Sequence, residues 1–189
     1  MQLSERVLGF AFTASAEQAG GFVAACAERV GAVAFWALGE STGQAASESW
    51  LRALDLLWKP WPVDDAQVAA VYNELQDLLD GMADNGHDLQ SVAVEAGQVV
   101  HSALGLLLCG DPMVAAQIAL AASELAAGLG ERANRALAAR EQAAQERDVR
   151  TIEASARPDL PALRATAAED GRYYLAAAAA WHRIETAER

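Results

Sequence analysis

Val68, Val71, Tyr72, Leu75, Leu78, Leu79 and Met82 recur at intervals of three and four positions. On a helix of about 3.6 residues per turn these side chains form one apolar stripe, whereas on a strand they would scatter over both faces. The spacing therefore predicts a helix over residues 65–82, with Glu74, Asp77 and Asp80 turned to solvent on its other faces. Pro62, Asp64 and Asp65 suit its start, because carboxylates favour the positive end of a helix dipole.

The same period returns along the chain. Ser15 is placed to cap a helix over residues 16–38 that turns Phe22, Cys26, Val30 and Val33 inward. A helix over 44–58 is expected to bury Trp50, Leu51, Leu54, Leu57 and Trp58, and to end at the Lys59-Pro60-Trp61-Pro62 turn, where proline cannot continue the ladder. Residues 88–109 carry Val92, Ala96, Val99, Val100, Leu104 and Leu107 and read as a central helix. Gly110, Asp111 and Pro112 then punctuate the chain, and Val114, Ile118, Ala121, Leu125 and Leu129 face inward from the next helix. Residues 131–157 are polar and Arg-rich and are expected to form a peripheral, loosely packed helix ending at Arg157-Pro158. A last helix over 161–186 places Tyr173, Tyr174, Ala177, Trp181 and Ile184 on one side. Ala and Leu abound while β-branched and aromatic residues are sparse. The expected architecture is all-α, a single domain over residues 1–189 folded as an irregular antiparallel bundle of about seven helices.

Charge is distributed unevenly over this frame. From Pro60 to Glu131 there are eleven acidic residues and no Lys or Arg, while the flanking segments are nearly balanced and the net charge is −12. Such a body repels nucleic acid and anionic lipid and attracts cations or a basic protein surface. Residues 7–14 are apolar and end in small residues, but the opening has no net positive charge and the run is short for a cleaved signal. The longest stretch without Asp, Glu, Lys or Arg, residues 96–110, is too short for a bilayer. Cys26 and Cys109 lie in apolar helical patterns without CxxC spacing, which predicts buried free thiols and a cytoplasmic setting.

No catalytic constellation emerges. Glu74, Asp77, Asp80 and Asp84 resemble the carboxylate spacing with which all-helical nucleotide pyrophosphatases hold Mg²⁺. A metal cage needs carboxylates converging from at least two helices, and no second motif of that type follows. His87, His101 and His182 have no Glu three positions earlier, so a di-metal helical centre is not indicated. His101 and Ser102 are adjacent on a helix and point in different directions, which disqualifies them as a nucleophile and base pair. We assign no catalytic residue, metal or cofactor. The residues expected to meet a partner are Trp61, Asp64, Asp65, Glu74, Asp77, Asp80, Asp84 and Asp88: an aromatic in a proline turn beside unpaired charge. The leading expectation is a non-enzymatic acidic module that sequesters a basic protein, such as the immunity protein of a bacterial toxin. The alternatives are a Mg²⁺-dependent nucleotide or phosphate hydrolase using Glu74, Asp77 and Asp80, and a structural protein that self-associates as a homodimer through Tyr173, Tyr174 and Trp181 of the C-terminal helix.

Phe22, Cys26, Ala27, Glu28 and Arg29, followed by Leu51, Leu54, Asp55 and Trp58, resemble the bacterial family known as domain of unknown function 416, whose members show a Cys-Ala-Glu-Arg segment and then a Leu-Asp-x-x-Trp segment. His101 to Leu104 and Gly110 to Ala116 are similar to that family's middle helices. The resemblance covers the first two thirds of the chain, and the Ala- and Arg-rich last third departs from it. It implies a compact all-helical cytoplasmic fold without an established activity. Glu28, Arg29 and Asp55 match the family's polar positions, which implies an ion-pair network that fixes helix register.

Overall fold

The computed structural model describes residues 3–41, 44–83, 88–155 and 157–187. Among these residues there are eight helices and no strand: α1 (Glu5–Thr13), α2 (Ala16–Ser41), α3 (Gln44–Leu57), α4 (Asp65–Ala83), α5 (Asp88–Cys109), α6 (Met113–Arg132), α7 (Leu137–Glu153) and α8 (Leu160–Ala187). The helix beyond the expected seven is α1, whose buried Val7, Phe10 and Ala11 fall at i, i+3 and i+4. Its start is fixed by Ser4, which accepts a hydrogen bond from the Val7 amide at 3.4 Å. The apolar run that imitates a signal is thus an amphipathic element of the bundle, with Phe10 packed edge-on against Phe22 at 5.4 Å.

The bundle is organised around α2, which touches α3, α5, α6, α7 and α8. Every residue from Phe22 to Ala27 is fully buried, so this stretch is enclosed on all sides rather than along one stripe. Its Ala-rich composition allows that, because small side chains let several helices approach one axis. The helix begins with a reciprocal cap in which Ser15 accepts from the Gln18 amide at 3.2 Å and the Gln18 side chain accepts from the Ser15 amide at 3.0 Å. Helix α5, expected at the centre, lies beside α2 and is itself flanked by α3, α4 and α6. Gly110 takes φ +65 between α5 and α6, a left-handed conformation that only glycine adopts without strain. Asp111 then caps α6 by accepting from the Met113 amide at 3.0 Å.

Several single-residue expectations are corrected. Leu51 is 46% exposed, and Leu56 occupies the buried position instead. Tyr173 and Ile184 are exposed, leaving Tyr174, Ala177, Ala178 and Trp181 as the inward stripe of α8. Tyr173 and Tyr174 are consecutive, so about 100° of helix rotation separates them. Cys26 is buried, but Cys109 is exposed at the end of α5. The Arg-rich segment expected to be peripheral forms α7, packed against α1, α2, α6 and α8. Two stretches, Gln90–Cys109 and Met113–Arg132, are long and apolar enough to cross a membrane by length and composition, and 56% and 50% of their apolar windows are buried against other helices.

Candidate functional site

Three features can be built from the residues upward: a buried polar knot, the acidic face of α4 with its tryptophan turn, and a groove between α5 and α6.

The knot joins α2, α6, α7 and α8. The Arg29 guanidinium donates to Glu141 from Nε at 2.8 Å and from Nη2 at 2.9 Å, and from Nη1 to Asp148. Tyr174 donates its hydroxyl to Glu141 at 2.7 Å, and Gln145 donates to the same carboxylate at 2.9 Å. Glu141 thus accepts four hydrogen bonds, which fills its two oxygens. Gln145 also reaches the Ala119 carbonyl and the Ser123 hydroxyl, at 2.9 and 3.1 Å, tying α7 to α6. Arg147 extends the knot outward, lying 2.8 Å from both Asp148 and Asp170. Burial works against the charged form of Arg29, yet Glu141, Cys26 and Asp148 together hold its pKa well above the usual value. Burial and the Glu141 charge likewise hold the Tyr174 phenol well above 10.0. Burial also pushes the Cys26 thiol strongly up, which Arg29 at 3.4 Å only partly offsets, so this thiol is held as a packing group rather than a nucleophile. With no open lone pair on Glu141 and no exposure of the Arg29, Glu141 and Asp148 side chains, the knot is built to fix helix register rather than to receive a ligand.

The expected trio of Glu28, Arg29 and Asp55 is divided by the fold. Arg29 enters the knot. Glu28, one helical step away, accepts from Trp58 Nε1 at 2.7 Å and lies 3.4 Å from Arg164. Arg164 also donates to Asp55 at 2.6 Å, so a residue of α8 bridges the two acids at the surface. Glu141, Gln145 and Asp148 were not singled out from sequence. Their signal was present in the spacing: Leu137, Glu141, Ala144, Asp148 and Ile152 recur at helical intervals and are all buried, so polar residues occupy the middle of an inward stripe.

Asp64, just before α4, and Asp65, Glu74, Asp77 and Asp80 on it are all exposed. Asp64 caps the helix by accepting from the Ala66 amide at 2.9 Å, and Asp80 accepts from the Gln76 side chain at 2.7 Å. Glu74 turns to Arg52 at 2.7 Å. These carboxylates face different neighbours and do not converge, and no group of three metal-ligating side chains gathers among the described residues. Asp88 is the first residue of α5, and Asp84 lies outside the described residues. Trp61 is half-buried in the turn before α4. With Trp58, Pro60, Pro158 and Leu160 it lines a cleft of about 620 Å³ whose polar edge is Glu17, Arg157 and Asp159. Trp50 and Trp58 are core residues. His101, on α5, stacks on Tyr72 of α4 with ring centroids 3.7 Å apart. Desolvation lowers the His101 pKa, and Asp80 opposes that shift.

The groove runs between α5 and α6, encloses about 490 Å³, and has Val92, Val99, Leu125 and Leu129 at its base. Glu95 stands on the α5 wall with Gln98 and Ser102, and Glu124 on the α6 wall with Ala121 and Gly128. Ala121 was expected to face inward; it is exposed and lines the groove, because α6 turns Ala122 to the core instead. Arg132, at one end, lies over the Trp181 ring at 4.9 Å.

No protein-family model matches the chain, and neither the curated proteins nor the solved structures contain a significantly similar one.

Proposed function

We propose that this protein is a non-enzymatic binding module whose acidic surface recognises a basic protein partner. The observation that carries the reading is the state of the α4 carboxylates. Asp65 and Asp77 are exposed and have no hydrogen bond or ion pair to any described residue; of the other α4 acids, Glu74 pairs with Arg52, and Asp80 accepts from Gln76 and acts on His101. Charge left unpaired on a rigid helix is available to a partner, where it speeds association and selects against wrong surfaces. The best-satisfied polar cluster, around Arg29 and Glu141, is sealed, which favours a scaffold role for it over chemistry. The most concrete form of the proposal is a small acidic protein that sequesters a basic partner, as the immunity protein of a bacterial toxin does. The resemblance to the domain of unknown function 416 family is compatible with this and supplies no activity of its own.

The test is affinity capture from a native lysate at low salt, with the wild-type chain and a variant carrying Asp64→Asn, Asp65→Asn, Asp77→Asn and Asp80→Asn as parallel baits. Basic proteins retained by the wild type, released by salt and absent from the variant are expected; identical partner profiles would sink the reading.

A further inference from the structure

We infer that the groove between α5 and α6 is the docking site for a cationic amphipathic helix of the partner. This rests on the acidic-module reading and adds to it a place and a shape. Glu95 and Glu124 stand on opposite walls, and neither has an ion pair or hydrogen bond to a described residue. Both belong to the stretch from Pro60 to Glu131 that contains no Lys or Arg; the one base on the groove's lining, Arg132, ends α6 about two turns beyond Glu124 and lies over the Trp181 ring, without an ion pair to either glutamate. A docked segment must supply the positive charge on both flanks.

Shape points the same way. The α6 wall carries Ala121 and Gly128, and a Cβ added at Gly128 would meet nothing within 4 Å. Small residues at the wall and buried aliphatic groups at the base let a helix backbone approach closely. From Val92 to Ser102 the α5 wall is roughly 15 Å long at the rise of an α-helix, which accommodates about three turns of a docked helix. An apolar stripe on that helix would lie over Val99 and Leu125, with Lys or Arg at its margins reaching Glu95 and Glu124. Helix-in-groove recognition of this kind takes its affinity from the stripe and its specificity from the flanking charge.

The probe is a fluorescein-labelled peptide of about fourteen residues in which Leu and Lys alternate at amphipathic-helix spacing, long enough to overrun the groove. Anisotropy titrations would use the wild type and three variants: the filled groove Ala121→Leu with Gly128→Leu, the neutral groove Glu95→Gln with Glu124→Gln, and the α4 set Asp64→Asn, Asp65→Asn and Asp77→Asn. Circular dichroism checks that each is folded, which the filled groove should be because the open side of α6 receives helix-favouring residues. The wild type should bind, more weakly as salt rises. The filled groove should lose at least about tenfold and the neutral groove roughly threefold to tenfold, as expected when rim charges are removed, while the α4 set changes little. If the filled groove binds as the wild type does and the α4 set loses affinity, the groove inference is overturned while the acidic-module reading stands. If no variant and not the wild type binds the peptide, the groove inference fails, and lysate capture decides the broader reading separately. Salt-independent binding displaced by an uncharged alkyl detergent would assign the groove to an acyl chain, and a wild-type dimer dissociated by filling the groove would assign it to a second copy; either outcome overturns the proposal.

Discussion

Arg29 and Glu141, 112 positions apart in sequence, meet through two parallel hydrogen bonds of 2.8 and 2.9 Å with neither side chain reaching solvent. A planar guanidinium facing a carboxylate in this way sets both distance and rotation, so α7 can sit against α2 in one register only.

Removing one partner from this pair should be more damaging than any surface change. Arg29→Met leaves Glu141 buried without its cation and Asp148 with Arg147 alone, and Glu141→Ala leaves Arg29 Nε and Nη2 and the Tyr174 hydroxyl unmatched while Asp148 keeps Nη1. Each should cost about 3–5 kcal/mol in urea unfolding, the range for an isolated buried charge. A loss below about 1 kcal/mol would mean that the knot opens or hydrates and does not set the register.

The apolar half of this arrangement was legible in the sequence and the polar half was not. Stripes such as Val68 to Met82 identify a helix and its buried face from period alone. In α7 the inward positions include Glu141, Gln145 and Asp148, and a rule that equates polar with exposed turns that helix inside out. Only the partners, Arg29 on α2 and Tyr174 on α8, make those groups buryable, and they are brought near by the fold rather than by sequence distance. In α2 the spacing identified Phe22, Cys26, Val30 and Val33 as inward, and what it did not show is that Val23, Ala24, Ala25 and Ala27 between them are enclosed as well. The groove was illegible because it arises from what α6 lacks at Ala121 and Gly128.

Stability should fall at alkaline pH in two separable steps. The unfolded Cys26 thiol ionises near 9.0 and the unfolded Tyr174 phenol near 10.0, while burial keeps both protonated in the folded chain. The folded state then binds more protons than the unfolded one, so these groups leave stability unchanged below those values. Above them it declines by about 1.4 kcal/mol per pH unit for each group. Cys26→Ala should delay the onset to the tyrosine step. Tyr174→Phe should remove that second step, and at neutral pH cost about 1.5–3 kcal/mol for the lost hydrogen bond to a charged group. A urea midpoint that stays flat from pH 8 to 11, about where both steps fall, would contradict the sealed knot.

On the acid side His101 works with the opposite sign. Its folded pKa is lowered from 6.5 chiefly by desolvation, so the unfolded state takes up the proton first. Stability present above pH 6.5 should be lost as the pH falls toward the lowered value, and His101→Phe, which keeps a ring against Tyr72, should remove that component. An unchanged acid limb in His101→Phe would place the titrating group elsewhere.

Two glycines two positions apart on α6 should respond oppositely to alanine. Gly128 opens into the groove, where a methyl group meets nothing within 4 Å, so Gly128→Ala should stabilise the helix by about 0.5–1 kcal/mol. At Gly130 the added Cβ would lie 2.6 Å from the Arg135 carbonyl oxygen, a backbone atom held by the turn into α7. Gly130→Ala should therefore destabilise by about 1–3 kcal/mol. Thermal melts of the two variants side by side suffice, and a shift of the same sign in both would show that the α6–α7 turn is not packed as described.

The C-terminal helix offers a direct separation of packing from self-association. Trp181 is 6% exposed and its ring is covered by Arg132, whereas Tyr173 and Ile184 on the same helix are 44% and 45% exposed. A dimer held by α8 would therefore have to use Tyr173 and Ile184, because the bundle has already occupied Trp181 and Tyr174. Trp181→Ala should lower stability by about 3–5 kcal/mol, the cost of an emptied aromatic site, and leave the sedimentation coefficient of the folded protein unchanged. Tyr173→Ser with Ile184→Ser should do the reverse if the helix pairs between copies: unfolding near that of wild type, with any dimer at tens of micromolar dissociated. Dissociation by Trp181→Ala without loss of stability would place that tryptophan in an interface between copies instead of in the core.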